Sequence, residues 1–209
     1  MSGRSIKAEQ LHLWRADRHV LAGINLAVNP GDMLQVTGAN GSGKTSLLRT
    51  LCGLMHPEEG RVLWGDLDVQ KDLPAFHAEL AYLGHEPPLK GDLSAHENLR
   101  YWVGMRRTLT PADVDAALER VGASAWADQP VRTLSAGQKR RVAIAGVVLF
   151  DAPLWLLDEP ATNLDGDGQR LVGSLIEEQL QSGGIVVAAV HQELPLRGFE
   201  PRRLDLSAA

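Results

Sequence analysis

The 209-residue chain reads as an α/β domain with a helical insertion. A glycine-rich octad, Gly38 to Thr45, lies between a short apolar run and a helical pattern, the strand–loop–helix setting of a phosphate-binding loop. Two apolar runs, Leu154–Leu157 and the β-branched-rich Ile185–Val190, do not alternate, as expected of strands covered on both faces by helices. Between the loop and these runs, from Pro87 to about Gln129, the pattern turns mostly helical. A hydrophobic fraction of 44% is enough for one sizeable core.

In chain order, Leu21–Val28 has a period close to two and predicts a half-buried strand. Asn29-Pro30-Gly31-Asp32 is a turn signal, and Met33–Thr37 a short strand feeding the glycine-rich loop. Lys44–Leu54 carries Leu47, Leu48, Leu51 and Leu54 at helical spacing and is stopped by Gly53 and Pro57. Leu80–Leu83 predicts another strand. Thr110-Pro111-Ala112-Asp113 opens a helix, with a capping residue and a proline in the first turn.

Composition narrows the classes. A formal net charge of −5 argues against an extended surface for nucleic acid. Lys139-Arg140-Arg141 is the only compact basic run before the tail, where Arg197, Arg202 and Arg203 gather. The longest apolar stretches, Val142–Leu149 and Ile185–Val190, fall far short of the roughly 20 residues that span a bilayer. Met1–Lys7 is polar and carries no secretion signal, so a cytoplasmic location is expected. The single Cys52 suits a reducing compartment and reads as a small buried apolar residue. The seven histidines form no metal-binding spacing.

Gly38-Ala39-Asn40-Gly41-Ser42-Gly43-Lys44-Thr45, followed by Ser46, fits G-x-x-x-x-G-K-[ST]. The glycines let backbone amides curl around phosphate oxygens, and the following helix presents its positive N-terminus. Lys44 is expected to reach the terminal phosphates and the Thr45 hydroxyl to bind magnesium. Asp158-Glu159 closes the Leu154 run: Asp158 is expected to hold magnesium and Glu159 to activate the attacking water as general base.

Leu134-Ser135-Ala136-Gly137-Gln138-Lys139-Arg140-Arg141 resembles the signature of ATP-binding cassette (ABC) ATPases, Leu-Ser-Gly-Gly-Gln, with Ala136 replacing one glycine. The resemblance implies a P-loop ABC nucleotide-binding domain. Such a domain has a RecA-like core, an antiparallel β subdomain and an inserted helical subdomain, here about residues 87–150 of a single domain over 1–209. It further implies that Ser135, Ala136, Gly137 and Gln138 face the nucleotide of the opposite subunit in an ATP-dependent homodimer. Ala161-Thr162-Asn163-Leu164-Asp165 resembles the D-loop that follows the catalytic glutamate, and His191 stands where the family has a switch histidine contacting the γ-phosphate. Trp14 lies near the position of an aromatic that stacks on adenine; core packing is its alternative role, and the expected one for Trp64, Trp102 and Trp155.

His85 stands where the family has the glutamine of the Q-loop, which senses magnesium and the attacking water. Imidazole is a poorer magnesium ligand than a carboxamide oxygen, so His85 is expected to bridge through water to the γ-phosphate; the alternative is a tolerated polar replacement. Gly84-His85-Glu86-Pro87 and Leu93-Ser94-Ala95-His96-Glu97-Asn98-Leu99 are similar to segments of the haem exporter ATP-binding subunits of bacterial cytochrome c maturation. That resemblance implies an ATPase at the cytoplasmic face of the bacterial inner membrane. It would drive separate multi-span permease subunits and reach a haem chaperone only indirectly. The alternatives are an ABC ATPase for another cargo, such as a lipid, drug or peptide, and more distantly a non-transport ABC protein or a phosphate-loop kinase.

Overall fold

The computed structural model describes residues 3–207. In chain order it contains β1 (Ile6–Arg15), β2 (Arg18–Val28), β3 (Met33–Thr37), α1 (Lys44–Leu51), β4 (Glu59–Trp64), β5 (Leu67–Asp68), α2 (Leu73–His77), β6 (Leu80–Leu83), α3 (Ala95–Gly104), α4 (Pro111–Arg120), α5 (Ala136–Phe150), β7 (Leu154–Asp158), α6 (Gly166–Gln181), β8 (Ile185–Ala189) and β9 (Arg202–Asp205). Two sheets result. One is antiparallel, in the order β2-β1-β4-β5. The other is parallel, in the order β6-β7-β8-β3-β9.

β1 lies outside the elements read from periodicity because a bulge breaks its alternation. Ala8 and Leu11 are both buried although three residues apart, the pairing register shifts between them, and Gln10 between them has φ 49°. α1 ends at Leu51 rather than Leu54: Gly53 turns the chain at φ 76° and leaves Leu54 exposed.

β7 and β8 are buried along their whole length, and their alternate side chains enter two different cores. Leu154 and Leu156 join a cluster with Leu47, Leu48 and Leu51 of α1 and with Ile6, Leu11 and Leu21 of the antiparallel sheet. Trp155 and Leu157 join the opposite cluster, with Val142 and Ala143 of α5 and with Val172 and Ile176 of α6. Helices therefore lie on both faces, as expected, and on one of them α1 is joined by the antiparallel sheet. Trp64 and Trp155 are buried, and Trp102 packs edge-on against Phe150 with ring centroids 5.2 Å apart.

α3, α4 and α5 lie between β6 and β7 in the chain and pack on one another. Each starts with a reciprocal capping box: Ser94 with Glu97, Thr110 with Asp113, and Ser135 with Gln138. The buried Asn98 ties the preceding loop down, accepting from Lys90 N at 2.7 Å and donating to the carbonyls of Lys90, Leu93 and Ser94. Cys52 is buried, and burial pushes its thiol up to about 11. Among the described residues no helix is long and apolar enough to cross a membrane, and no group of three metal-ligating side chains is present.

Candidate active site

Parallel register decides which residues meet. Leu83 pairs with Leu157, Asp158 with Ala189, and Ala189 with Val36, so the C-terminal ends of β6, β7, β8 and β3 stand side by side. His85, Glu159, His191 and Gly38 each lie two residues beyond one of these paired positions and fall in one row along the carboxyl edge, where open α/β sheets bind ligands.

At β3 the chain curls through Gly38 (φ 141°), Gly41 (φ 78°) and Gly43 (φ 105°), backbone that side chains other than glycine rarely adopt. Close packing adds a second constraint at Gly43, where a Cβ would stand 2.9 Å from Val20 Cγ1. The buried Lys44 folds back into the loop, its Nζ donating to the carbonyls of Gly38 at 2.7 Å and Ala39 at 3.1 Å. Arg18 braces the loop from β2, donating to Gly41 O at 2.8 Å, and Ser207 Oγ accepts from Ala39 N at 3.0 Å. Ser46 follows Thr45 on the first turn of α1.

At β7, Asp158 is buried and its Oδ2 has no hydrogen-bond partner. Burial raises its pKa; the hydrogen bond from Thr45 opposes this, the charge of Glu159 adds to it, and His85 and Arg140 oppose it again. A buried carboxylate oxygen without a partner, beside a threonine hydroxyl at the mouth of a phosphate loop, is the hard-oxygen donor set that suits Mg2+.

Glu159 has φ 52°, the left-handed region, which costs a non-glycine residue about 1–2 kcal/mol. Such strain concentrates at sites where it positions a functional group. Here it turns a largely buried side chain out of the strand and between two histidines. His191 Nε2 lies 2.6 Å from Oε1, and His85 Nδ1 lies 3.5 Å from Oε2, which also accepts from Thr162 Oγ1 at 3.1 Å. The backbone is held as well, Glu159 N donating to Ala189 O at 2.9 Å.

Ser135 caps α5: its Oγ accepts from Gln138 N at 3.2 Å, while Gln138 Oε1 accepts from Ser135 N at 2.8 Å. A Cβ on Gly137 would lie 2.6 Å from Asn163 O, so only glycine lets α5 approach the loop after Glu159 this closely. Ala136 lines a small groove of about 140 Å³ together with His85, Pro87 and Asn163. Among the described residues no hydrogen bond joins Ser135–Gln138 to the phosphate loop of the same chain. Asp165 caps α6, accepting from Gly168 N at 2.8 Å, and meets Arg141 at 3.4 Å. Trp14 is 37% exposed and stacks on His19, with centroids 3.9 Å apart and planes 4° apart. One of its faces is therefore already occupied.

Arg140 escaped the reading of its basic run. It shares a helical stripe with Ala143, Ile144 and Val147, and that phase is the signal that it points inward. Its side chain is buried beneath Asp158 and Glu159, and burial pulls its guanidinium down to about 10, still charged at neutral pH. His12 and His19, stacked beside Trp14 and 3.0 Å apart between ring nitrogens, were also missed, because cross-strand pairing brings them together.

The family model described as ABC transporter matches residues 21–162. The cytochrome c biogenesis ATP-binding export protein CcmA of Methylococcus capsulatus is 48% identical, covering 99% of this chain and 100% of its own. CcmA of Nitrosococcus oceani is 42% identical over 97% of this chain and 92% of its own. CcmA of Yersinia pestis is 38% identical over 97% and 93%. Among solved structures, a dimeric bacterial ABC transporter cassette superposes with a TM-score of 0.86 at 22% identity over 97% of this chain and 95% of its own. An ABC transporter ATP-binding protein of Pyrococcus furiosus gives 0.84 at 24% identity over 98% of both chains. At those identities the likeness shows the fold.

Proposed function

The chain belongs to the ABC transporter family, in its cytochrome c biogenesis ATP-binding export (CcmA) branch, and from that premise we propose that it hydrolyses ATP along the row of strand ends to drive a separate haem-handling membrane subunit. The observation that carries the reading is Glu159, strained out of β7 and held between His191 and His85 directly after the buried Asp158. A carboxylate so placed accepts the proton of a water as that water attacks the γ-phosphorus. The new P–O bond forms as the bond to the β-phosphate oxygen breaks, giving ADP and phosphate. His191 orients the carboxylate through Oε1 and contacts the γ-phosphate. His85 reaches that phosphate through water. Lys44 exchanges its loop carbonyls for phosphate oxygens when nucleotide enters.

Mg2+ would be held by Thr45 and Asp158, the latter directly or through water, and supplies neutralisation of the charge on the β- and γ-phosphates. Trp14 offers its open face to adenine. Ser135, Ala136, Gly137 and Gln138 complete the site of a second copy, so that the working unit is an ATP-dependent homodimer. Asp165, by holding the start of α6, sets the loop across which the two copies meet. The region of about residues 87–150 is the helical subdomain that moves against the permease. The permease is proposed as separate multi-span subunits, with this chain bound at the cytoplasmic face of the bacterial inner membrane and a haem chaperone served only indirectly.

The test is capture of tagged Glu159→Gln from detergent-solubilised membranes with ATP, with partners identified by mass spectrometry and a haem absorbance spectrum recorded. Multi-span partners with a haem band are expected. A permease without haem would move the cargo to another class, such as a lipid, drug or peptide, and recovery of only soluble partners would remove the transport reading.

A further inference from the structure

We infer that Arg140 is a positioning residue, a buried guanidinium that fastens the signature end of α5 to the backbones of His85 and Glu159. Arginine carries five N–H donors in a fixed fork, and the structure gives each a backbone carbonyl. Nε donates to Pro160 O at 3.2 Å; one terminal nitrogen donates to Gly84 O at 3.0 Å and His85 O at 3.4 Å. The other donates to Glu159 O at 2.7 Å and to Asp158 O. The side chain is 4% exposed, and among the described residues it forms no ion pair within contact distance. Its charge is balanced at longer range by Asp158 and Glu159.

The five acceptors come from two segments that are far apart in sequence and adjacent in space. Asp158 closes β7, and Gly84, His85, Glu159 and Pro160 lie just beyond the ends of β6 and β7, where the ladder no longer supplies partners for their carbonyls. A neutral side chain could satisfy some of them; a planar fork with five donors satisfies all and fixes the two segments relative to each other. The third party is α5 itself. Its first turn holds the Ser135 cap, and Gly137 presses on Asn163, so a shift of the helix carries the guanidinium with it. Displacing the guanidinium moves the backbone of the carboxylate and of its histidine neighbour together. The inference rests on reading Glu159 as the base and extends it: a nucleotide engaged at one end of α5 sets the geometry of the carboxylate beneath its second turn.

The experiment compares wild type, Arg140→Lys and Arg140→Gln in nucleotide affinity, kcat and KM for ATP, thermal midpoint, and amide hydrogen exchange. For Arg140→Gln the expected result is a kcat lowered about tenfold to a hundredfold, with affinity and KM within about threefold. Exchange should accelerate at residues 84–87 and 158–163 and remain unchanged in the phosphate loop. Arg140→Lys, which keeps the charge and loses the fork, should fall between, and it carries the comparison if the glutamine variant does not fold. Full kcat in both variants would overturn the inference, as would losses of affinity, thermal midpoint and exchange protection spread over the whole chain. If the wild type hydrolysed no ATP, the reading of Glu159 would fall. The exchange comparison, which needs no turnover, would then decide Arg140 alone: protection lost at both segments keeps the link, and unchanged protection removes it.

Discussion

At the scale of the residue, Glu159 combines three unusual conditions: positive φ, burial, and two imidazoles on one carboxylate. Replacing it with Gln keeps the shape and removes the basicity. The Glu159→Gln protein is therefore expected to bind ATP with near-wild-type affinity while kcat falls by about 10²–10⁴. Equilibrium nucleotide binding and a phosphate-release assay check this, and ordinary turnover would remove Glu159 from the role of base. Lys44 makes the complementary case. Its ammonium already sits inside the loop on two carbonyls, so Lys44→Ala should abolish productive nucleotide binding, measurable by calorimetry. Undiminished affinity would undo the reading of the phosphate loop.

At the scale of the element, α3 is held by His96. Its Nδ1 lies 2.9 Å from Asp128 and its Nε2 2.7 Å from Asp115, so the imidazolium joins α3 to α4 and to the segment before α5. Burial works against the charged form, but hydrogen bonds and charge from Asp128 and Asp115 outweigh it and raise the pKa above its ordinary 6.5. The sign follows from linkage. A raised folded-state value gives stability that is fully present below pH 6.5 and is lost as pH rises through the folded-state pKa. The thermal midpoint of the wild type is therefore expected to fall more than that of His96→Gln between about pH 6 and about pH 9. Equal slopes would show that the pair of aspartates contributes nothing. The capping boxes at Ser94, Thr110 and Ser135 fix where the three helices begin, whatever the pH.

At the scale of the whole molecule, the proposed site is divided between copies. Phosphate loop, Asp158, Glu159 and His191 belong to one sheet edge, whereas Ser135–Gln138 caps α5 and makes no hydrogen bond to its own phosphate loop among the described residues. Specific ATPase activity is therefore expected to rise with protein concentration toward a plateau, and wild type mixed with excess Glu159→Gln should lose activity beyond simple dilution. Activity per chain that is flat with concentration would show that one copy suffices.

The sequence by itself determined the glycine-rich loop, the Asp158-Glu159 strand end, the strands β3, β6, β7 and β8, and the starts of α1 and α4, because each rests on local chemistry: glycine's freedom at positive φ, caps, and unbroken apolar runs. It also ordered the signature, the loop after Glu159 and His191 along the chain. Only the tertiary structure decided that His85 and His191 flank one carboxylate, since that follows from parallel register between strands far apart in sequence. The bulged β1 and the stack of Trp14 on His19 were hidden for a related reason: a bulge breaks the period of two, and cross-strand partners leave no trace at fixed spacing. Arg140 shows the limit most directly. Its neighbours in sequence suggest a solvated basic patch, yet five backbone carbonyls from two distant segments satisfy its buried guanidinium, and only the fold brings those carbonyls together.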